Sequence, residues 1–353
     1  MKLKLGLFAI NSMGGISLLK KNIWKAEWTD IVKLVKKADK NSIDFILPLS
    51  KYTGWAGKTN PHGFAFDTFA MTSALINITK KIRFISTIHI PFINPALASK
   101  FFKSLIAMEN GVSKRVLINI VAGCMRSDLK MFNITNFQAK NKYKLAEDWI
   151  KVFKKVIISN KKTQINTKYY KGENVSIDIN YKVKKIPEIV SAGYSKEGRN
   201  FALKNCDYQF TFFHNLQSAK QANLNFKKIN NKIKLLTNVH IISAKTKKDT
   251  EKKVNKYLKL IDKSSVKVFF KNLINNQTGL KNIIKLDEKM ISNIGFACGS
   301  HYLVGTPNQI SDGLKELQKA GFYGVALSFF DYEKDFNFFC KHIIPNLKKN
   351  GII

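Results

Sequence analysis

Glu188-Ile-Val-Ser-Ala192-Gly193-Tyr-Ser195-Lys-Glu-Gly198-Arg199 begins as a short apolar run, turns on a glycine and passes at Ser195 into a helical pattern that lasts to Asn205. A second short run, 208–211, follows at once. Strand, Gly-bearing turn, helix and strand make a β/α unit. The same order recurs along the chain, with strands predicted over residues 4–10, 44–49, 83–88, 116–121, 188–192, 208–211, 234–242 and 324–327. Helices are predicted near 28–41, 65–78, 95–109, 143–158, 196–205, 217–230, 248–261, 307–320 and 334–346. Eight such units in 353 residues predict an α/β fold, a single (β/α)8 TIM-type barrel whose strands, buried on both faces, are written as continuous apolar runs. A doubly wound open sheet is the runner-up.

Two stretches stand outside the repeat. Residues 161–185, with Thr163-Gln-Ile-Asn and Tyr169-Tyr-Lys-Gly-Glu-Asn-Val-Ser-Ile, read as a small β-hairpin inserted before the fifth strand. Residues 264–302 are polar and mixed, a lid-like segment before the last unit. No Pro/Gly/Ser linker divides the chain, so residues 1–353 are expected to form one barrel domain carrying both insertions.

Composition narrows the function. No apolar stretch approaches the roughly 18 residues of a bilayer span. The start, Met1-Lys-Leu-Lys followed by residues 5–10, falls short of the ~7 to 15 apolar residues of a signal peptide and reads as the first strand. Cys124, Cys206, Cys298 and Cys340 lie far apart, which argues against a zinc site or a disulfide framework and fits a reducing cytoplasm. Lys and Arg total 60 against 24 Asp and Glu, a net charge of +36, and only Arg83, Arg115, Arg126 and Arg199 are arginines. The lysines come in scattered short groups such as Lys154-Lys155 and Lys247-Lys248 rather than in one stripe with interleaved aromatics. They read as solvated faces filled by A/T-rich codon usage, so no nucleic-acid partner is expected. A non-catalytic, polyanion-binding barrel stays as an alternative.

In a barrel of this type the chemistry sits at the C-terminal ends of the strands. Strand two runs into Ser50-Lys51-Tyr52-Thr-Gly54-Trp55-Ala-Gly57-Lys58-Thr59, strand three into Thr87-Ile-His89, and strand four into Asn119-Ile-Val-Ala-Gly123-Cys124-Met-Arg126-Ser-Asp128. Ser195 opens a helix just after Gly193, so free N–H groups, the dipole end and a hydroxyl converge in an anion-binding arrangement; an ordinary Ser N-cap is the plain alternative. Asn119 stands inside an apolar strand, where a carboxamide needs a polar ligand or network. His89 and His240 can reach a barrel mouth, whereas His62 reads as a loop histidine. No histidine has metal spacing and no Ser-His-Asp order appears, which leaves metal hydrolysis and triad chemistry without support.

Taken with Leu303-Val-Gly-Thr-Pro307-Asn-Gln-Ile310 and Ala326-Leu-Ser-Phe-Phe330-Asp, the endings of strands two, four and five resemble the bacterial luciferase-like flavin monooxygenases over nearly the whole chain. The pyrimidine and dimethyl sulfone monooxygenase branches are the nearest, the alkanesulfonate enzymes more distant. The resemblance implies a two-component enzyme that binds reduced FMN, delivered by a separate NAD(P)H:flavin reductase, and uses O2 to oxidise a small polar substrate, with a homodimer or homotetramer as the assembly. It implies that Ser50, Lys51, Asn119, Asp128, Lys142, Tyr143 and Ser195 bind the cofactor, with Ser195 on its phosphate and Lys142-Tyr143 in an Arg-Tyr position. Thr87 and Asn119 resemble the pair that holds O2 near the flavin, and His240 stands where the sulfonate enzymes carry an active-site His. An F420-dependent hydride-transfer oxidoreductase on the same barrel is the alternative chemistry.

The sequence departs from the pattern in places. Gly123-Cys124 replaces a Gly-Trp, the 109–115 turn is long, and Lys142 replaces a guanidinium by a point charge. Asn238 and Phe330 stand where the sulfonate enzymes present Arg and Tyr, which argues against an alkanesulfonate substrate.

Overall fold

The computed structural model describes all residues except 110–113, 124, 136, 178, 180, 194, 214, 231 and 277–285. Eleven strands are present among the described residues: β1 (Lys4–Phe8), β2 (Phe45–Leu47), β3 (Arg83–His89), β4 (Val116–Val121), β5 (Thr163–Asn166), β6 (Lys171–Val175), β7 (Ile189–Ser191), β8 (Tyr208–Phe210), β9 (Lys234–Ser243), β10 (Tyr302–Gly305) and β11 (Gly324–Ser328). With β5, β6 and β10 set aside, they are the eight strands expected from the sequence, and the fold is α/β, a (β/α)8 TIM-type barrel.

The chain divides into two compact units. The first comprises Met1–Phe66, Phe212–Asn225 and Leu235–Ile353, and its strands pair in the order β10-β9-β11-β1-β2, all parallel. The second comprises Asp67–Thr211 and Phe226–Lys234 and pairs β3-β4-β7-β8, again parallel. Helices return the chain between strands by burying one stripe each; in Trp28–Lys40 that stripe is Ile31, Leu34, Val35 and Ala38, at helical spacing. In the second unit Trp149 stacks on Phe153, their centroids 5.2 Å apart, and Phe102 meets Phe153 edge-on at 5.6 Å.

Element ends follow local chemistry. β2 stops at Leu47, two residues short of the expected end, because the Asn11 side chain takes over the backbone of Leu49: Leu49 N donates to Asn11 Oδ1, and Asn11 Nδ2 donates to Leu49 O, each at 2.8 Å. The final helix begins earlier than expected, at Tyr332, since Asp331 accepts from Glu333 N and Lys334 N. It also breaks at Ile343, where Pro345 has no N–H to continue it, leaving Tyr332–His342 and Ile344–Lys349 as separate helices. β9 is long enough to pair β11 through Leu236–His240 and β10 through His240–Ser243.

The insertion at 161–185 contains the antiparallel hairpin β5-β6. Lys103, wholly buried, donates from its amine to Ser159 O at 2.9 Å and Ile177 O at 3.2 Å, tying down both flanks of the hairpin. Of the segment read as lid-like, the described part holds two helices, Lys263–Asn276 and Glu288–Ala297, and 277–285 lie outside the described residues. Two of the four arginines serve the framework: Arg83 pairs with Glu188 beside Tyr208, and Arg115 pairs with Glu109 at 2.6 Å while donating to Ile76 O and Thr79 Oγ1. Among the described residues no helix is long and apolar enough to cross a membrane.

Candidate active site

In the second unit the parallel register sets Thr87 of β3 directly beside Asn119 of β4. Both are 7% exposed, and Asn119 Nδ2 donates to Thr87 Oγ1 at 3.1 Å. Asn119 Oδ1 has no partner among the described residues. A buried acceptor left bare costs about 1 to 3 kcal/mol, so the strand holds a hydrogen-bonding group that awaits a donor. The Thr87 backbone is in turn fixed by Thr68, whose hydroxyl bonds Thr87 O at 3.1 Å and Thr87 N at 3.2 Å.

β7 ends at Ser191, and the chain passes through Gly193 into the helix Lys196–Asn205. Ser195 is the N-cap, with extended backbone (φ −64°, ψ 164°) and an Oγ that accepts from Gly198 N at 3.1 Å. The cap engages only a lone pair, so the hydroxyl proton can still be donated to a negatively charged group, and the two readings of Ser195 are compatible. Tyr143 OH lies 3.5 Å from Ser195 Oγ. Burial pushes the Tyr143 phenol above its usual range, which keeps it a neutral donor.

Glycine is required on both sides of this corner. A Cβ on Gly198 would lie 2.3 Å from the Tyr143 hydroxyl, and one on Gly193 would lie 2.9 Å from Gly198 Cα. The Glu197 carboxylate, fully exposed, is held below the usual range by its own backbone N–H first, then by the Ser195 hydroxyl, with Lys142 and Lys196 adding attraction. The Glu197 carboxylate therefore competes with an incoming anion for the Ser195 hydroxyl. Lys142 holds its ammonium 5.2 Å from the Tyr143 ring centroid. Asp128 is buried in the short helix Arg126–Met131 and accepts from Ser127 Oγ at 3.3 Å. Cys124 and residues 110–113 of the long turn lie outside the described residues.

In the first unit Ser50 and Lys51 follow β2 and are half-buried. The Lys51 ammonium sits 3.8 Å from the Trp55 ring centroid, a cation–π distance. Trp55 Nε1 donates to His62 Nδ1 at 2.8 Å, and Phe269 meets the same indole edge-on at 4.7 Å. His62, read from sequence as a loop histidine, is in a loop but buried; burial, and then Lys51, lowers it to about 3, so it is a neutral acceptor that fixes Trp55. His240 on β9 is wholly buried against the edge of Phe330 at 4.4 Å, with Nδ1 3.1 Å from Ser328 Oγ. Burial, with Lys253, lowers it to about 3 as well, and its Nε2 has no partner among the described residues. A cavity of about 380 Å³ at the end of β9, lined by Ser243, Lys245, Lys253, Lys334, Asp335 and Phe338 among others, contains none of the expected site residues.

Sequence reasoning missed Gln209. It is 1% exposed on β8, donates to Gly193 O at 3.1 Å and Phe210 O at 2.9 Å, and so supports the Ser195 turn from beneath. The signal was available, a carboxamide inside an apolar run, as for Asn119. Glu197 was missed because an acid in a first helical turn is ordinary.

The fold and these buried polar groups define an α/β barrel enzyme. Residues 3–324 match the family model of luciferase-like monooxygenases, and the chain belongs to that family of flavin-dependent monooxygenases. It is 22% identical over 364 residues to an FMNH2-dependent dimethylsulfone monooxygenase of Pseudomonas putida, covering 98% of this chain and 96% of the relative. It is 21% identical over 327 residues to the pyrimidine monooxygenase RutA of Agrobacterium fabrum, covering 88% and 87%. The crystal structure of DmoA from Hyphomicrobium sulfonivorans superposes with a TM-score of 0.86 at 16% identity, covering 99% of this chain and 89% of that one.

Proposed function

We propose that the protein is the oxygenase component of a two-component system, taking reduced FMN from a separate NAD(P)H:flavin reductase and using O2 to oxidise a small polar molecule of pyrimidine or sulfone type. The observation that carries this reading is the corner made by Ser195, Tyr143, Gly193 and Gly198, where the Ser195 hydroxyl already attracts the Glu197 carboxylate. A phosphate suits such a corner better than a carboxylate does, since it brings more charge and three acceptor oxygens.

In this reading Ser195 and Tyr143 donate to the FMN phosphate, and Lys142 supplies a neighbouring positive charge without the paired geometry of a guanidinium. The bare Oδ1 of Asn119 accepts from the flavin ring, and Thr87 holds the carboxamide in orientation. Ser50 and Lys51 line the flavin, Asp128 supports it, and His240 acts as a neutral hydrogen-bonding group at the substrate. The bound cofactor supplies two electrons and the site of O2 activation; the protein supplies binding, orientation and exclusion of water. The assembly proposed is a homodimer or homotetramer.

The test is NADPH-coupled turnover with a flavin reductase, with uracil and dimethyl sulfone as substrates in parallel. Oxidation of either that requires FMN, O2 and this protein supports the reading. Absence of FMN binding at micromolar concentration overturns it, and O2-independent turnover with F420 would replace it by the hydride-transfer alternative.

A further inference from the structure

β9 carries two buried polar side chains two residues apart, Asn238 and His240, and positions at that spacing face the same side of a strand. Asn238 is 1% exposed, yet neither its Oδ1 nor its Nδ2 has a partner among the described residues. The Nε2 of His240 is equally bare. Buried carboxamides in folded proteins are almost always hydrogen-bonded, so one with both ends open invites a ligand.

The neighbours of Asn238 on the β11 side are small and apolar. The register sets it beside Ala326 of β11, and Ala326 beside Gly6 of β1. The Phe45 ring fills the space over Gly6, where a Cβ would lie 2.3 Å from it, and so forms an apolar wall for the same layer. One step further along, His240 is braced by Ser328 and Phe330. The ammonium of Lys253 on the following helix is engaged by Ser243 O and Asp335.

We infer that Asn238 is a specificity-determining residue, reading a neutral amide edge of the substrate, an N–H beside a C=O, with His240 Nε2 as the adjoining contact. This rests on the oxygenase reading and narrows it. Along one edge a carboxamide presents one N–H donor and one carbonyl acceptor, which an amide or imide edge matches in a single plane. A sulfone presents acceptors alone and leaves Asn238 Oδ1 bare; a sulfonate brings a full charge to a neutral carboxamide and a neutral imidazole.

Equilibrium binding of uracil, 1,3-dimethyluracil and dimethyl sulfone, measured calorimetrically beside FMN binding, tests this without turnover. Uracil should bind at least about tenfold more tightly than 1,3-dimethyluracil, whose N–H groups are blocked, and Asn238→Leu should weaken uracil by a similar factor while moving FMN less than about threefold. Equal affinity of the wild-type protein for uracil and its dimethyl analogue overturns the inference, whether or not the variant folds. An Asn238→Leu protein that binds uracil normally also overturns it, and shows that the carboxamide serves only an internal water. Loss of FMN binding with retained uracil selectivity would remove the oxygenase reading alone.

Discussion

Replacing Gly198 by Ala separates two opposed effects. Gly198 is the third residue of the helix Lys196–Asn205 and is buried, and Ala is ordinarily favoured over Gly inside a helix by about 0.8 to 1 kcal/mol. Here the added Cβ would meet the Tyr143 hydroxyl at 2.3 Å, and forcing a methyl into a packed site costs about 1 to 3 kcal/mol. The net expectation is a loss of stability between about zero and 2 kcal/mol. The larger consequence falls on the ligand. Tyr143 is held by Phe201, with centroids 5.5 Å apart, and by the turn itself, so its hydroxyl must leave the Ser195 corner. Loss of a hydrogen bond to a charged group is worth about 1.5 to 3 kcal/mol, which weakens FMN roughly 10- to 100-fold. Thermal melts and FMN fluorescence titration read the two effects apart. A more stable Gly198→Ala protein with unchanged FMN affinity would refute the reasoning, since the helix gain would then stand unopposed.

Ser195→Ala should cost about 1 kcal/mol of stability for the lost cap and weaken FMN by about 1.5 to 3 kcal/mol, seen in the same melts and titrations. Glu197→Gln should tighten FMN and reduce the dependence of its affinity on salt, because the competing carboxylate is removed; weaker binding would show that Glu197 does not occupy the anion position. The pH dependence of stability follows from His62 and His240, both lowered from 6.5 to about 3. The unfolded chain takes up these protons first, so stability should be full above pH 6.5 and fall steadily as the pH drops toward 3. His240→Gln should flatten that slope in denaturant titrations, and an unaltered slope would contradict its burial as a neutral ring.

The eight barrel strands were legible because strands covered on both faces leave continuous apolar runs that Gly, Pro and Asn interrupt. β10 was not, since Tyr302–Gly305 is short and finds its place only against the far end of β9, a pairing that local sequence cannot show. The end of β2 was equally hidden, because it depends on Asn11, 38 residues from Leu49. Asn119 and Ser195 stood out as polar residues where the pattern required apolar or turn chemistry. What distinguishes them in the structure is the state of single atoms: an Oδ1 left bare, and a hydroxyl that caps with one lone pair while its proton can face a carboxylate. Spacing carries no information at that level. His62 likewise is buried and hydrogen-bonded by Trp55, and a loop residue read alone gives no sign of it.

Comparing the affinity of reduced FMN with that of reduced riboflavin, for the native protein and for Ser195→Ala, addresses the anion corner directly. The phosphate is the sole difference between the two molecules. The account requires the native protein to prefer FMN by at least about tenfold and the variant to lose most of that preference. Equal binding of both flavins by the native protein would contradict it.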